Sequence, residues 1–227
     1  MTRVARRRLP HTAVRRNERP VELAFAALRR RPTQARGVQR VIDVIDACER
    51  LLKRRRIEDL TIEDIAQAAR IQVGSLYHFF PDKSAVVVTL LERLLIEDAS
   101  AFELTPADTR RSFRGYLAAL EDRLMAVWCR HGSLLDVYYA FQRHPLVWQQ
   151  TLAQRQRAAV QVGAKLRQLD PTISRARALA QGRMVGMVMG VLIDHLVYLP
   201  AADRRQFRRE TYDMLSRYVG SGSGRGV

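Results

Sequence analysis

The chain has 227 residues, 47% of them hydrophobic, which is enough for one or two domains with a real core and too apolar for a disordered polymer. A formal charge of +16 and an isoelectric point near 11.1 favour an anionic partner. The charge is uneven: residues 1–32 carry ten Arg and two Glu, residues 33–100 ten basic and eleven acidic side chains, and residues 101–227 nineteen basic and ten acidic.

Residues 1–32 place Arg6-Arg7-Arg8, Arg15-Arg16 and Arg29-Arg30-Arg31 between Pro10, Pro20 and Pro32. Prolines break a long helix, and although Val21 to Arg30 could form a short one, the segment has too little apolar surface to fold alone. It reads as a basic arm adding phosphate or minor-groove contact, or as a solubilising tail. From Gln34 to about Arg55, Val41, Val44, Ile45, Cys48, Leu51 and Leu52 form one helical stripe. Arg36 and Arg40 lie near the start of that helix, within reach of a DNA backbone, and Asp43, Asp46 and Glu49 are expected on its solvent side.

Leu60 to Lys83 is the most informative stretch. Ile62, Ile65, Ala66 and Ala69 recur at i, i+3, i+4, i+7, and Leu76, Phe79 and Phe80 repeat the spacing after a break. Thr61 followed by Asp64 fits a capping box, and Arg70-Ile71-Gln72 is a short connection with Ile71 as an apolar plug. The pattern is a helix-turn-helix. Its second helix turns Gln72, Val73, Ser75, Tyr77 and His78 away from the core, a face of the reach and chemistry to read a major groove, with Gly74 keeping the surface low. Because residues 33–100 are close to neutral, affinity for DNA must come from placed contacts.

Thr-Ile-Glu-Asp-Ile-Ala-Gln-Ala-Ala at 61–69, Gly74-Ser75-Leu76-Tyr77-His78-Phe79 and Lys83 resemble the DNA-binding domain of the tetracycline-repressor (TetR) family of bacterial transcriptional regulators. The resemblance covers about Gln34 to Ser100. It implies that Gln72, Val73, Ser75 and His78 face bases while Thr61, Tyr77 and Lys83 bind phosphates. Arg56 and Arg70 stand where the family usually has glycine at helix ends, where a left-handed non-glycine residue costs roughly 1 kcal/mol.

Pro81-Asp82-Lys83 ends the recognition helix and starts a fourth, with Asp82 as cap and Lys83 plus the first-turn amides as a phosphate clamp. Leu104-Thr105-Pro106 marks a domain boundary, so a basic arm (1–32), a DNA-binding domain (33–100), a helical regulatory and dimerisation domain (101–219) and a flexible Gly/Ser tail (220–227) are expected. The second domain reads as helices over about 109–130, 133–143, 145–169, 173–198 and 203–219, giving an all-α chain. Met125, Trp128, Tyr138, Tyr139, Phe141, Trp148, Met184 and Met187 could line an apolar effector pocket or simply be core. The positive excess there hints at a small hydrophobic or acidic amphipathic effector. Gly182, Gly186 and Gly190 share one helix face and permit a close backbone approach. By the resemblance that face belongs to the homodimer interface; packing within one chain is the other reading.

Cys48 and Cys129 are too few for a disulfide framework and read as reduced core residues. No apolar run of signal-peptide length follows the N-terminal arginines, and the longest uncharged apolar run, Met184 to Ile193, is about half of the roughly 20 residues a membrane span needs. A cytoplasmic protein, nucleoid-associated through DNA and without a membrane partner, is expected. Asp194, His195, His131 and His144 lack ligand spacing, and no nucleotide loop, nucleophile elbow or paired-carboxylate site occurs, so neither metal, cofactor nor enzyme activity is expected. The expected function is a homodimeric regulator that binds a palindromic operator, most often as a repressor released by a small ligand. A non-specific architectural DNA-binding protein is the alternative.

Overall fold

A computed structural model describes residues 25–220, and every regular element among them is helical. In chain order these are α1 (Ala35–Leu52), α2 (Ile62–Ala68), α3 (Val73–Phe79), α4 (Lys83–Ala101), α5 (Pro106–Thr109), α6 (Phe113–Arg130), a 3-10 turn (Gly132–Leu134), α7 (Leu135–Phe141), α8 (Pro145–Leu169), α9 (Arg175–Tyr198) and α10 (Ala201–Gly220). Most starts are chemically marked. Thr61, Asp82, Thr105, Ser112 and Ser174 each accept a hydrogen bond from an amide of the following first turn, and Pro106 and Pro145 occupy first-turn positions that need no donor.

Helices α1 to α3 close a small core from Val41, Val44, Ile45, Cys48, Leu60, Ile65, Leu76 and Phe80. That core continues without a break into the rest of the molecule along α4, whose Val86, Val87, Leu90, Leu91 and Leu94 are fully buried and which packs on α1, α6 and α8. The longest contact is α8 against α9. It is close enough that a Cβ on Gly182 would lie 2.3 Å from the Ala159 carbonyl oxygen, and one on Gly163 3.0 Å from that of Ala178. Helix α9 is long and apolar enough to cross a membrane by length and composition alone, but its Val185, Met189, Leu192 and Leu196 are spent on this core.

Several expectations are corrected here. The helix expected over about 109–130 begins instead at Phe113, and a separate four-residue helix, α5, precedes it. A capping box formed by Thr105 and Asp108 starts α5, and the fully buried Lys165 ammonium of α8 then captures the carbonyls of Asp108 (2.7 Å) and Arg111 (2.8 Å), ending it before Ser112 restarts the chain as α6. Of the short helix that Val21 to Arg30 could form, the described part, 25–30, is turn and bend. Residues 1–24 of the arm and 221–227 of the tail lie outside the described residues. Cys48 is buried, whereas Cys129 is exposed on α6. Glu49, expected on a solvent face, is only 8% exposed.

Candidate functional site

The α2–α3 connection is held by its own backbone. The Ile71 amide donates to the Ala66 carbonyl (3.0 Å) and the Arg70 amide to that of Gln67 (3.0 Å), a Schellman-type closure that places Arg70 in the left-handed region at φ 57°. Arg56 does not take that conformation, so only one of the two missing glycines imposes strain. The α2 start is a reciprocal cap: Thr61 Oγ1 accepts from the Asp64 amide (3.1 Å) and Asp64 accepts from the Thr61 amide (2.9 Å). These bonds and Arg55 hold the Asp64 carboxyl below its ordinary range.

On α3, Leu76 and Phe79 face inward, while Gln72, Gly74, Tyr77 and His78 are exposed and Ser75 is half-buried. A Cβ on Gly74 would meet nothing within 4 Å, so packing does not demand glycine there. Val73, expected to face outward, is half-buried against the core. Arg36 is exposed at the start of α1. Lys83 departs most from expectation. Its ammonium donates to the carbonyls of Ile57 (2.8 Å) and Leu60 (2.7 Å), tying the α1–α2 loop to the start of α4 instead of extending toward a phosphate. The sequence reading also missed that the base of the arm is docked. The Arg29 amide donates to the Phe79 carbonyl (2.8 Å) and Leu28 packs on the core, which brings the exposed Arg29, Arg30 and Arg31 to the end of α3.

Behind this surface lies a charged junction between α1, α4 and the end of α6. The His131 ring is within hydrogen-bond distance of Glu49 through Nδ1 (2.8 Å) and of Glu97 through Nε2 (3.1 Å), and Arg93 also pairs with Glu49 (2.6 Å). Burial works against a charged imidazole, but the bonds and charges of Glu49 and Glu97 outweigh it and raise His131 to about 9. Burial likewise opposes ionisation of Glu49, and the His131 bond, with the charges of His131 and Arg93, more than reverses it, so this carboxyl stays below its ordinary range.

A cavity of about 490 Å³ opens between α4, α6, α8 and α9. Of the expected lining residues, Trp128, Tyr138, Met184 and Met187 border it. Met125 and Phe141 instead pack against the core, Tyr139 is turned to the surface with its hydroxyl donating to Asp194, and Trp148 is 47% exposed with Arg155 over its ring. Two of the glycines expected at a dimer interface, Gly186 and Gly190, are cavity wall, and the third, Gly182, serves the α8–α9 crossing. The apolar wall also takes Leu95, Phe102 and Leu124, ordinary core types that periodicity cannot tell from a lining. Its polar groups include Asp98, Thr151, Gln154 and Asp194. Asp98 is buried and accepts from Trp128 Nε1 (2.9 Å) and from the Gln154 amide. Burial above all, and the neighbouring Asp194 charge, push it up to about 6 against the lowering effect of those two bonds.

Comparison with known proteins agrees with this architecture at both ends of the chain. Residues 44–90 match the profile of the bacterial regulatory proteins of the tetR family, and residues 112–218 that of the tetracyclin repressor-like C-terminal domain. The HTH-type transcriptional regulator EthR of Mycobacterium tuberculosis is 34% identical over 85 residues, covering 36% of this chain and 39% of that protein. EthR of Mycolicibacterium smegmatis is 30% identical over 89 residues, 37% of this chain and 41% of its own length. The match thus spans well under half of these curated relatives. Among solved structures, a tetR-family transcriptional regulator from Streptomyces coelicolor superposes with a TM-score of 0.62 at 21% identity, over 82% of this chain and 84% of its own. A putative TetR-family regulator from Mesorhizobium loti does so at 0.61 and 15%, over 83% and 98%. The two profiles, one on the helix-turn-helix and one on the helical remainder, meet in the fold just described, and the chain belongs to the TetR family of bacterial regulatory proteins.

Proposed function

We propose that the protein is a sequence-specific transcriptional regulator, not an enzyme, that acts as a homodimer on a palindromic operator in the cytoplasm and is released from it by a small molecule. The observation that carries this reading is the α2–turn–α3 unit, in which a reciprocal cap, a Schellman-type turn and a buried Leu76–Phe79 pair leave Gln72, Ser75, Tyr77 and His78 free to meet DNA. Gln72, Ser75 and His78 meet base edges, and Thr61 and Tyr77 meet phosphates. Arg36 and the docked Arg29 to Arg31 supply backbone charge. Val73 contributes apolar contact from its exposed edge, and Lys83 acts mainly by fixing the loop before α2.

In this reading residues 33–100 form the DNA-binding part and 101–219 the effector and dimer part, with α4 shared between them. Two recognition helices related by a two-fold axis reach successive major grooves roughly 34 Å apart. Exposed apolar side chains on α8 and α10, among them Val160 and Met214, supply the surface for dimerisation. The cavity beside Trp128 takes the effector, which shifts the DNA spacing only as far as it binds the released state more tightly than the bound one. Selection of bound sequences from random DNA tests the reading: enrichment of one inverted repeat supports it, and a pool that stays random with undiminished binding points to architectural DNA binding.

A further inference from the structure

The chemistry of the cavity specifies the class of its occupant. Asp98 is 6% exposed, its hydrogen bonds come from the neutral Trp128 indole and Gln154 amide, and the charge acting on it is another carboxylate, Asp194. Among the described residues, no cation forms an ion pair with Asp98. A buried ion without a countercharge is costly, and a cation arriving beside it would offset that cost. Asp194 is different: burial above all holds its carboxyl above the ordinary range, but the Tyr139 hydroxyl donates to it and the charges of His195 and Arg155 act in its favour. The two arginines of the cavity wall are both exposed, with Arg155 over the Trp148 ring (5.7 Å) and Arg183 bonded to Gln156 (3.2 Å). Trp128 and Tyr138 present two aromatic rings, 6.1 Å apart at 63°, to the same cavity. Electron-rich ring faces and a carboxylate both attract a cation.

We propose that the cavity takes an apolar molecule bearing one protonated amine, with the ammonium against the Asp98 carboxylate and beside the Trp128 and Tyr138 rings, and the apolar body along Leu95, Met184 and Met187. This rests on reading the cavity as the effector site. It replaces the acidic effector that the positive excess of residues 101–227 suggests, because a carboxylate head would be set against Asp98 and Asp194 while the arginines that border the cavity lie at its exposed rim.

Titration calorimetry of the full chain with n-octylamine, n-octanol and n-octanoate separates the possibilities. The amine is expected to bind at least about tenfold more tightly than either of the others. Asp98→Asn is expected to abolish that preference while keeping n-octanol binding, which also reports that the variant is folded. Equal binding of all three, tighter binding of n-octanoate, or an amine preference that survives Asp98→Asn overturns the amine assignment and leaves the cavity as an apolar site. Absence of binding by all three overturns the effector-site reading as well.

Discussion

Replacing His131 with asparagine tests the junction that ties the DNA-reading helices to the rest of the molecule. The ring touches Glu49 of α1 and Glu97 of α4 from the end of α6, so its charge adds to the packing that joins these three elements. A base whose pKa rises from 6.5 in the unfolded chain to about 9 in the fold stabilises the fold fully below the lower value. That contribution is lost as the pH climbs through the upper value. At about 1.36 kcal/mol per pKa unit it amounts to roughly 3 kcal/mol. Glu49 acts in the opposite direction, since its depressed carboxyl contributes above its ordinary value of 4.5 and loses that contribution on acidification. Urea denaturation followed by helical circular dichroism, at one protein concentration between about pH 6 and 10, is the assay. Wild type is expected to lose roughly 3 kcal/mol more than His131→Asn across that range. Parallel pH dependences for the two proteins would refute the reasoning.

Asp98→Asn should stabilise the unliganded protein. A carboxyl raised from 3.8 to about 6 by burial opposes folding once ionised, a cost absent below the first value and complete above the second. The variant therefore gains up to about 3 kcal/mol near pH 7 and little near pH 4, as melting curves at the two pH values will show. Arg70→Gly relieves a left-handed non-glycine residue and should add about 1 kcal/mol without altering DNA affinity; an unchanged midpoint in denaturant would contradict the strain. Gly182→Ala forces a Cβ against the Ala159 carbonyl and should cost about 1–3 kcal/mol. Its mass in solution should equal that of wild type, and a dissociated but equally stable chain would return Gly182 to the interface between copies.

What could be read in the sequence was what neighbours in the chain decide. The Thr61–Asp64 cap, the i, i+3, i+4 stripe of α2 and the Leu76–Phe79–Phe80 repeat each lie within a few residues, and the helix-turn-helix and its outward face follow from them. The strain expected at the two missing glycines resolved into one real site, because the turn closing α2 demands a left-handed residue at Arg70 and the looser path out of α1 does not at Arg56. Side chains whose partners are distant in sequence escaped. Lys165 ends α5 from 57 residues away, Glu49 is drawn inward by His131 82 residues on, and Lys83 turns to carbonyls at 57 and 60. The cavity was half legible for the same reason. Its aromatic and sulfur residues stand out by type, but whether a given ring lines a void or faces water depends on how α7 and α8 are rotated. Asp98, the group that gives the cavity its chemistry, drew no attention in the sequence, because its partners Trp128 and Gln154 lie 30 and 56 residues away.

In this reading α3 recognises a defined, two-fold symmetric DNA site through a few placed side chains rather than through the charge of the whole protein. Footprinting on a fragment carrying the selected sequence, with wild type and with Gln72→Ala and Tyr77→Ala, tests it most directly. One discrete symmetrical protected segment is expected, with loss of affinity by about tenfold or more in each variant. Uniform protection along the fragment, with both variants binding as wild type does, would contradict it.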